Sequence, residues 1–238
     1  MGDTRDMKSA LIVRGGWEGH QPKETSDLFI PFLESHGFDV RVEESTAIYA
    51  DETFMAKVDL IVQVITFGAL TEAESDGLER AVVAGAGFAG WHGGVLASFP
   101  LAEKYLHMIG AIFVSHPGKA AAERVGEPSD WFVPHTYSFT EKGRNHEITR
   151  GIADFELDTE QYWVLHDPYL EILANTTQKA RPGDPWHEDV KSPAVWTRLW
   201  GAGKIFVITC GHDLEVVKDQ RVEQIIQHGM LWATRNDS

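Results

Sequence analysis

Apolar residues in the first hundred positions come in short solid runs separated by stretches with helical spacing. Residues 10–13 and 60–65 are nearly continuous apolar runs, the mark of strands covered on both faces. Residues 38–42 alternate as a strand does, and 204–209 supply another buried strand late in the chain. Helices are expected between them. Thr25 and Ser26 are placed to cap one that runs to about His36, where Gly37 stops it. Thr71-Glu72-Ala73-Glu74 forms a capping box for a helix reaching about Gly85. Val222, Ile225, Ile226 and Met230 share one face of the last helix. This alternation predicts an α/β fold with a mainly parallel sheet flanked by helices on both faces.

The rhythm changes between about residues 113 and 200. Prolines at 117, 128, 134, 168, 182, 185 and 193 accompany short β-like pieces at 132–140 and 170–174. An elaborated β-rich region packed on the same sheet is expected there. The loop 178–192, rich in Pro, Asp and Lys, is a candidate mobile lid. A flexible tail over 1–7 and a single domain over 8–235 complete the expected organisation.

Most of the chemistry sits in Gly87-Phe88-Ala89-Gly90-Trp91-His92-Gly93-Gly94. It reads as a buried strand, a tight turn and the start of a helix. That is the G-x-Nuc-x-G elbow, whose glycines permit a turn that lifts one side chain above the sheet edge. The lifted residue is His92, where a hydrolase carries Ser or Cys. Imidazole is a poor acyl-transfer nucleophile but a good acid, base or metal ligand near neutral pH. Ligands of an open parallel sheet bind beyond the carboxyl ends of its strands. Two more such ends carry histidine: strand one runs into Gly15-Gly16-Trp17-Glu18-Gly19-His20, and the late strand into Cys210-Gly211-His212-Asp213.

Other candidates join these. His116 precedes Pro117, which holds its backbone extended. Glu160 and Tyr162 share one face of an extended segment, suiting a carboxylate base beside a phenol. His166-Asp167-Pro168 is either a plain turn or a further cleft contact. Trp17 is a candidate sugar platform, because aromatic faces stack on sugar rings. His20, His92, His116 and His212 offer nitrogen ligands for a catalytic zinc, with Glu160 as carboxylate ligand or base.

Charge and cysteine content narrow the classes. Lys and Arg number 21 against 36 Asp and Glu, a net charge of −15 that argues against nucleic acid and anionic membranes as partners. Cys210 is the only cysteine, so no intrachain disulfide framework exists. No signal-peptide pattern and no membrane-length apolar run is seen, and a cytoplasmic location is expected. Gly85-Ala86-Gly87 lacks a third glycine and precedes a strand, so no nucleotide cofactor is expected.

In their order and spacing, the His20 loop, Gly-Trp-His92-Gly-Gly, Phe113-Val-Ser-His116-Pro117, Glu160-Gln161-Tyr162 and Cys210-Gly-His212 resemble the trehalose-utilisation (ThuA-like) family over about 8–233. The resemblance implies a class I glutamine-amidotransferase-like, flavodoxin-like fold and a link to sugar catabolism, particularly of oxidised (3-keto) disaccharides. Glutamine amidotransferases of this fold use an elbow Cys with a His-x-Glu pair at a later strand end. His92 stands at the Cys position and His212 at the His position, whereas Glu215 follows His212 by three residues instead of two. Without an elbow thiol, glutaminase chemistry through a thioester is not expected. The His-Pro that the family usually shows before Gly151 is His146-Glu147 here.

Together these readings predict an enzyme of carbohydrate metabolism, a lyase or hydrolase acting on an oxidised (3-keto) sugar or glycoside by acid/base chemistry. His92 or Glu160 would take the proton that the ketone acidifies, and His212 or His20 would stabilise the enolate or protonate a leaving group. Trp17, His116, Tyr162 and His166 would contact the substrate. A divalent metal, zinc or manganese, is compatible with this set. Two alternatives stay open: a non-catalytic sugar-binding or complex-forming subunit on a retired amidotransferase scaffold, and a zinc-dependent hydrolase. Loss of His92 is expected to abolish turnover with little loss of stability, and region 113–200 is the expected surface for any homo-oligomer.

Overall fold

The architecture comes from a computed structural model, which describes residues 7–236. Apart from Met7, the tail expected over 1–7 lies outside the described residues.

The chain opens with β1 (Lys8–Gly16), two short helices α1 (Pro22–Asp27) and α2 (Ile30–Ser35), β2 (Phe38–Glu43) and α3 (Glu52–Met55). It continues through β3 (Leu60–Thr66), α4 (Glu72–Val83), β4 (Gly87–Trp91), α5 (Gly93–Leu96) and α6 (Glu103–Ile109). The β-rich part holds β5 (Ala111–Ser115), β6 (Phe132–Phe139), α7 (Glu141–Asn145), β7 (Phe155–Glu160), β8 (Trp163–His166), β9 (Glu171–Gln178) and β10 (Val190–Trp200). The chain returns to β11 (Gly203–Ile208), α8 (Leu214–Val217) and α9 (Gln220–Ala233).

Nine strands form one sheet in the order β2-β1-β3-β4-β11-β10-β9-β6-β7. The first five run parallel. The other four join antiparallel, as the elaboration of the same sheet that the proline-rich region suggested. β5 and β8 pair separately as an antiparallel ribbon.

Period-two alternation within the solid apolar runs feeds two cores. Ile12, Val62, Val64, Trp91 and Ile208 pack on one face of the sheet with Phe29, Leu33, Ile225, Ile226 and Met230. Leu11, Val13, Ile61, Phe88 and Val207 pack on the other with Tyr49, Leu78, Val82 and Met108. Covering both faces is what demands apolar residues at successive positions. The Thr71–Glu74 capping box forms as expected and starts α4.

Two local expectations need correction. Thr25 and Ser26 do not cap a long helix. They lie inside α1, and their hydroxyls donate to the Gln21 and Pro22 carbonyls at 2.8 and 2.6 Å. Pro22 supplies a preset φ for the first turn, and the helix breaks at Leu28 and Phe29 before restarting as α2, with Pro31 in its first turn. The second difference is β10, an eleven-residue strand that crosses Pro193. Its pairing with β9 shifts register between Pro193 and Val195, and such a bulge is where a strand tolerates a residue without an N–H. β9 extends to Gln178 and β10 begins at Val190, so the loop expected over 178–192 is shorter at both ends.

Candidate functional site

The parallel arrangement brings the carboxyl ends of β1, β3, β4 and β11 to one edge of the sheet, and the histidines follow them. Gly93 and Gly94 are explained by what sits beside them: a Cβ on Gly93 would land on the His20 ring, and one on Gly94 would stand 2.8 Å from the Val64 backbone. His92 itself has φ 51 and ψ −143, an unfavourable conformation for a residue with a Cβ. Its N–H donates to the Ile208 carbonyl at 2.8 Å, pinning the elbow to the end of β11. The elbow expected from the sequence is present. Its tip is not exposed, however: His92 is 1% accessible, with Tyr162 packed against its ring at 4.3 Å between centroids.

His20, His92, His212 and Glu160 form one cluster, each offering a ligand atom within 4.8 Å of the others. Glu160 Oε2 is the hub. It lies 3.1 Å from His92 Nε2, 3.1 Å from His212 Nδ1 and 3.4 Å from His116 Nε2. The His212 approach is close but off the line of a good hydrogen bond, leaving that nitrogen without a proper partner. His20 stands with its ring 4.6 Å from that of His92 and 5.2 Å from that of His212, and its Nδ1 meets the Thr66 hydroxyl at 2.9 Å.

The tautomers follow from the partners. A backbone carbonyl only accepts, so His92 Nδ1–H donates to the Thr209 carbonyl (2.8 Å) and His116 Nδ1–H to that of Gln161 (3.4 Å). In the neutral rings, Nε2 of each then carries a lone pair, and both lone pairs face the same carboxylate oxygen. An Nδ1–H held by a backbone oxygen is also how metal-binding histidines are oriented.

Burial acts on His20, His92, His116 and Glu160. Desolvation, then the neighbouring His92 and His212, drive the His20 pKa down to about 2. His92 is lowered by burial, against the pull of Glu160, and His116 is lowered by burial as well. For Glu160 burial alone would raise the pKa. The neighbouring His212 and His92, and the positive charge that His92 or His116 carries when protonated, outweigh it, which holds the carboxyl ionised well below its usual range. Lowered at His20, His92 and His116 and ionised at Glu160, the site presents imidazole nitrogens around one carboxylate, a donor set suited to a borderline divalent cation such as zinc.

A cavity of about 610 Å³ opens on the cluster, lined by Trp17, Gly19, Gly126, Pro128, Trp131, Glu160 and His212 among others. Trp17 is about half exposed and sits edge-on to His20 at 4.7 Å, as a platform over the mouth. Trp131 faces the same cavity, with its ring 6.2 Å from His116. Sequence reasoning missed Trp131, because the irregular 117–131 stretch carries no period that says which way a side chain points.

The structure brings together His20, His92, His116, Glu160, Tyr162 and His212, with Trp17 at the rim. It does not bring His166. That residue pairs with Ala111 at the far end of β8 from Tyr162, is exposed, and bonds the Asp167 carbonyl. An extended strand of four residues separates its two ends by roughly 10 Å, which removes His166 from the cleft. Glu215 is exposed in α8. The carboxylate beside His212 is Glu160, from the antiparallel half. Burial pushes the Cys210 thiol up to about 12, which makes it inert as a nucleophile. Among the other tryptophans, Trp91 and Trp196 are core, and Trp163 packs edge-on against Trp186.

Together, fold and site define an α/β protein with a nucleophile-elbow scaffold whose elbow carries an imidazole. The trehalose-utilisation family (ThuA) matches residues 9–233, and the chain belongs to it. That description supports a carbohydrate-related role. Similar solved structures include a ThuA-like protein of Bacteroides uniformis (16% identity, TM-score 0.68, 97% of this chain and 92% of that one). A ThuA-like protein of Parabacteroides merdae is comparable (14%, 0.69, 98% and 93%). The cytoplasmic protein STM1381 of Salmonella typhimurium LT2 shares the fold too (13%, 0.61, 96% and 100%). At these identities the likeness is one of fold. No curated protein sequence matches the chain. Among the described residues, no helix is long and apolar enough to cross a membrane.

Proposed function

We propose that the protein is a metal-dependent enzyme acting on an oxidised (3-keto) sugar or glycoside, held in the cleft between Trp17 and Trp131. The observation that carries this reading is the pair of histidine lone pairs, on His92 and His116, turned toward one ionised carboxylate oxygen. Electron pairs so arranged repel unless a cation stands among them. His20, His92, His212 and Glu160 would hold a divalent ion, zinc or manganese, which when bound supplies Lewis-acid polarisation of a carbonyl oxygen.

The remaining chemistry belongs to the chain. With His92 and Glu160 engaged as ligands, the base role the sequence offered them passes to His116. Its side chain is partly exposed, it is anchored through Nδ1–H, and its Nε2 keeps a lone pair. In a 3-keto sugar the ketone acidifies the C2 proton. His116 removes that proton, the C–H electron pair passes to the ketone oxygen as an enolate, and collapse of the enolate expels the substituent oxygen on C1. The protonated His116 returns its proton to that oxygen as it leaves, so charge balances without a covalent enzyme intermediate. Trp17 and Trp131 fix the ring, and a cavity of about 610 Å³ falls within the ~300–1,000 Å³ typical of small-molecule sites. A small-molecule carbohydrate partner and a cytoplasmic location are parts of this reading.

The test combines elemental analysis of untagged protein with turnover of a 3-keto glycoside before and after chelation. Near-stoichiometric metal, activity lost on chelation and restored by the ion, and loss of turnover in His116→Ala with metal retained are expected. Activity indifferent to chelation overturns the metal. Absence of product from the metal-loaded protein overturns the enzyme and leaves a sugar-binding subunit.

A further inference from the structure

The carboxyl ends of β1, β4 and β11 lead to His20, His92 and His212, but β3 leads to a different kind of residue. Its last member, Thr66, meets His20 Nδ1 through its hydroxyl at 2.9 Å and accepts the Trp17 N–H at 3.1 Å. Phe67 comes next. It is 68% exposed, with its ring 6.2 Å from that of Trp17. Trp17 lines the cavity over the cluster, and Phe67 stands just beyond that lining.

The backbone of Phe67 is unfavourable for such a side chain. Its φ is 59, in the left-handed region where a bulky residue is an outlier and glycine is the usual occupant. The Phe67 N–H donates to the Ala97 carbonyl at 3.0 Å and the Gly68 N–H to that of Ser98 at 2.8 Å, so the segment after α5 holds the turn in this shape. The exposed ring gains little burial in return. Among the described residues three non-glycine positions have positive φ, and all adjoin the cluster: Gln21 follows His20, Phe67 follows Thr66, and His92 is a member. Strain held in this way gathers at ligand-binding sites.

Exposure points the same way. Four large aromatic side chains are exposed among the described residues: Trp17, Phe67, Trp131 and Tyr169. Trp17 and Trp131 line one cavity and Phe67 adjoins Trp17. Single exposed apolar residues need no account, but a group around a cavity mouth marks a binding surface.

Position indicates the occupant. In the cleft described above, the 3-keto ring lies between Trp17 and Trp131, and a substituent on C1 that extends past Trp17 meets Phe67. An uncharged aromatic face favours the C–H or π face of a second ring over a charged group. We propose that Phe67, together with Trp17, forms a subsite for a ring carried on C1 of the substrate, and so sets a preference for ring-bearing glycosides. This inference rests on the sugar cleft of the proposed function but not on the metal or the proton transfers assigned there.

The test uses three 3-keto glucosides that differ only at C1, bearing methyl, phenyl or a second glucose. Calorimetry on the chelated full chain measures their binding apart from turnover. At least one ring-bearing ligand is expected to bind about three- to tenfold more tightly than the methyl glucoside. Phe67→Gly should remove that advantage, leave the methyl glucoside unaffected, and keep the urea midpoint at or above that of the wild type, because glycine relieves the backbone. Phe67→Tyr should retain the preference. Tighter binding of the phenyl ligand alone marks an aryl subsite, and of the glucosyl ligand a subsite for a second sugar. Equal binding of all three, or a preference that survives Phe67→Gly, overturns the proposal. A preference lost in Phe67→Gly from a protein that turns over none of the three keeps the subsite and overturns the enzyme; turnover without a ring preference does the reverse. No binding of any of the three overturns both.

Discussion

His92 Nε2 and Glu160 Oε2 meet at 3.1 Å across a separation of 68 residues, and the geometry of the rest of the imidazole decides what that contact means. With Nδ1–H committed to the Thr209 carbonyl, a neutral His92 points electron pair against carboxylate. His116 repeats the arrangement at 3.4 Å.

A cation bound by His92 and Glu160 relieves the first contact and neutralises the carboxylate that His116 faces. Purified without chelator, the protein should carry zinc or manganese at close to one ion per chain. Glu160→Gln keeps the shape of the hub but removes its charge, and should lower the metal content sharply. Elemental analysis of the two proteins checks this, and equal metal content would sink the assignment of Glu160 as ligand.

Gly93→Ala tests the cluster without touching a ligand. The added Cβ falls on the His20 ring, so His20 must leave its place while His92, His212 and Glu160 stay. Metal affinity is expected to fall at least about tenfold with the circular dichroism spectrum unchanged. Titration with a competing chelator measures the difference.

The sequence alone suggested that His92 is dispensable for stability; its burial argues otherwise. His92→Ala leaves a hole at the elbow and strips the buried Thr209 carbonyl of its donor. A cost of about 1–3 kcal/mol is expected. Urea unfolding of wild type and variant in the same chelating buffer should show a lower midpoint with an unchanged slope.

Trp17 and Trp131 should act on substrate and not on metal. Each Ala variant is expected to raise KM by about tenfold or more while metal content stays at the wild-type level. A change in metal content would mean that these rings support the cluster and not the sugar.

Asp219 offers a pH test away from the site. Its carboxylate caps α9, accepting from the Arg221 and Val222 N–H groups, and pairs with the Arg221 guanidinium at 2.6 Å. The Arg221 side-chain hydrogen bond lowers its pKa from 3.8, against some desolvation. A depressed carboxylate contributes stability above its unfolded pKa and loses it as pH falls through the folded value. Asp219→Ala should therefore cost about 1 kcal/mol near neutral pH, with the gap closing below about pH 3.8. A gap independent of pH would show that the charge contributes nothing.

Much of this was legible in the chain because it is local. Solid apolar runs marked β1, β3 and β11, the Thr71–Glu74 box marked the start of α4, and the glycines around His92 marked the elbow. Each rests on residues a few positions apart, where hydrogen bonding and steric limits act directly. From the same local signals came three histidines at strand ends and the expectation that they meet.

Pairing across long separations decided the rest. Glu160 reaches the cluster only because β7 closes the antiparallel edge of the sheet, and His166 misses it because β8 runs the other way along β5. Pro193 sits in β10 only because a bulge absorbs its missing N–H. The sequence determined which side chains were available at the strand ends, through period and turn chemistry. Which carboxylate they surround and which tautomers they hold were left to tertiary structure, because a hydrogen bond depends on position and angle across the fold and not on spacing along the chain.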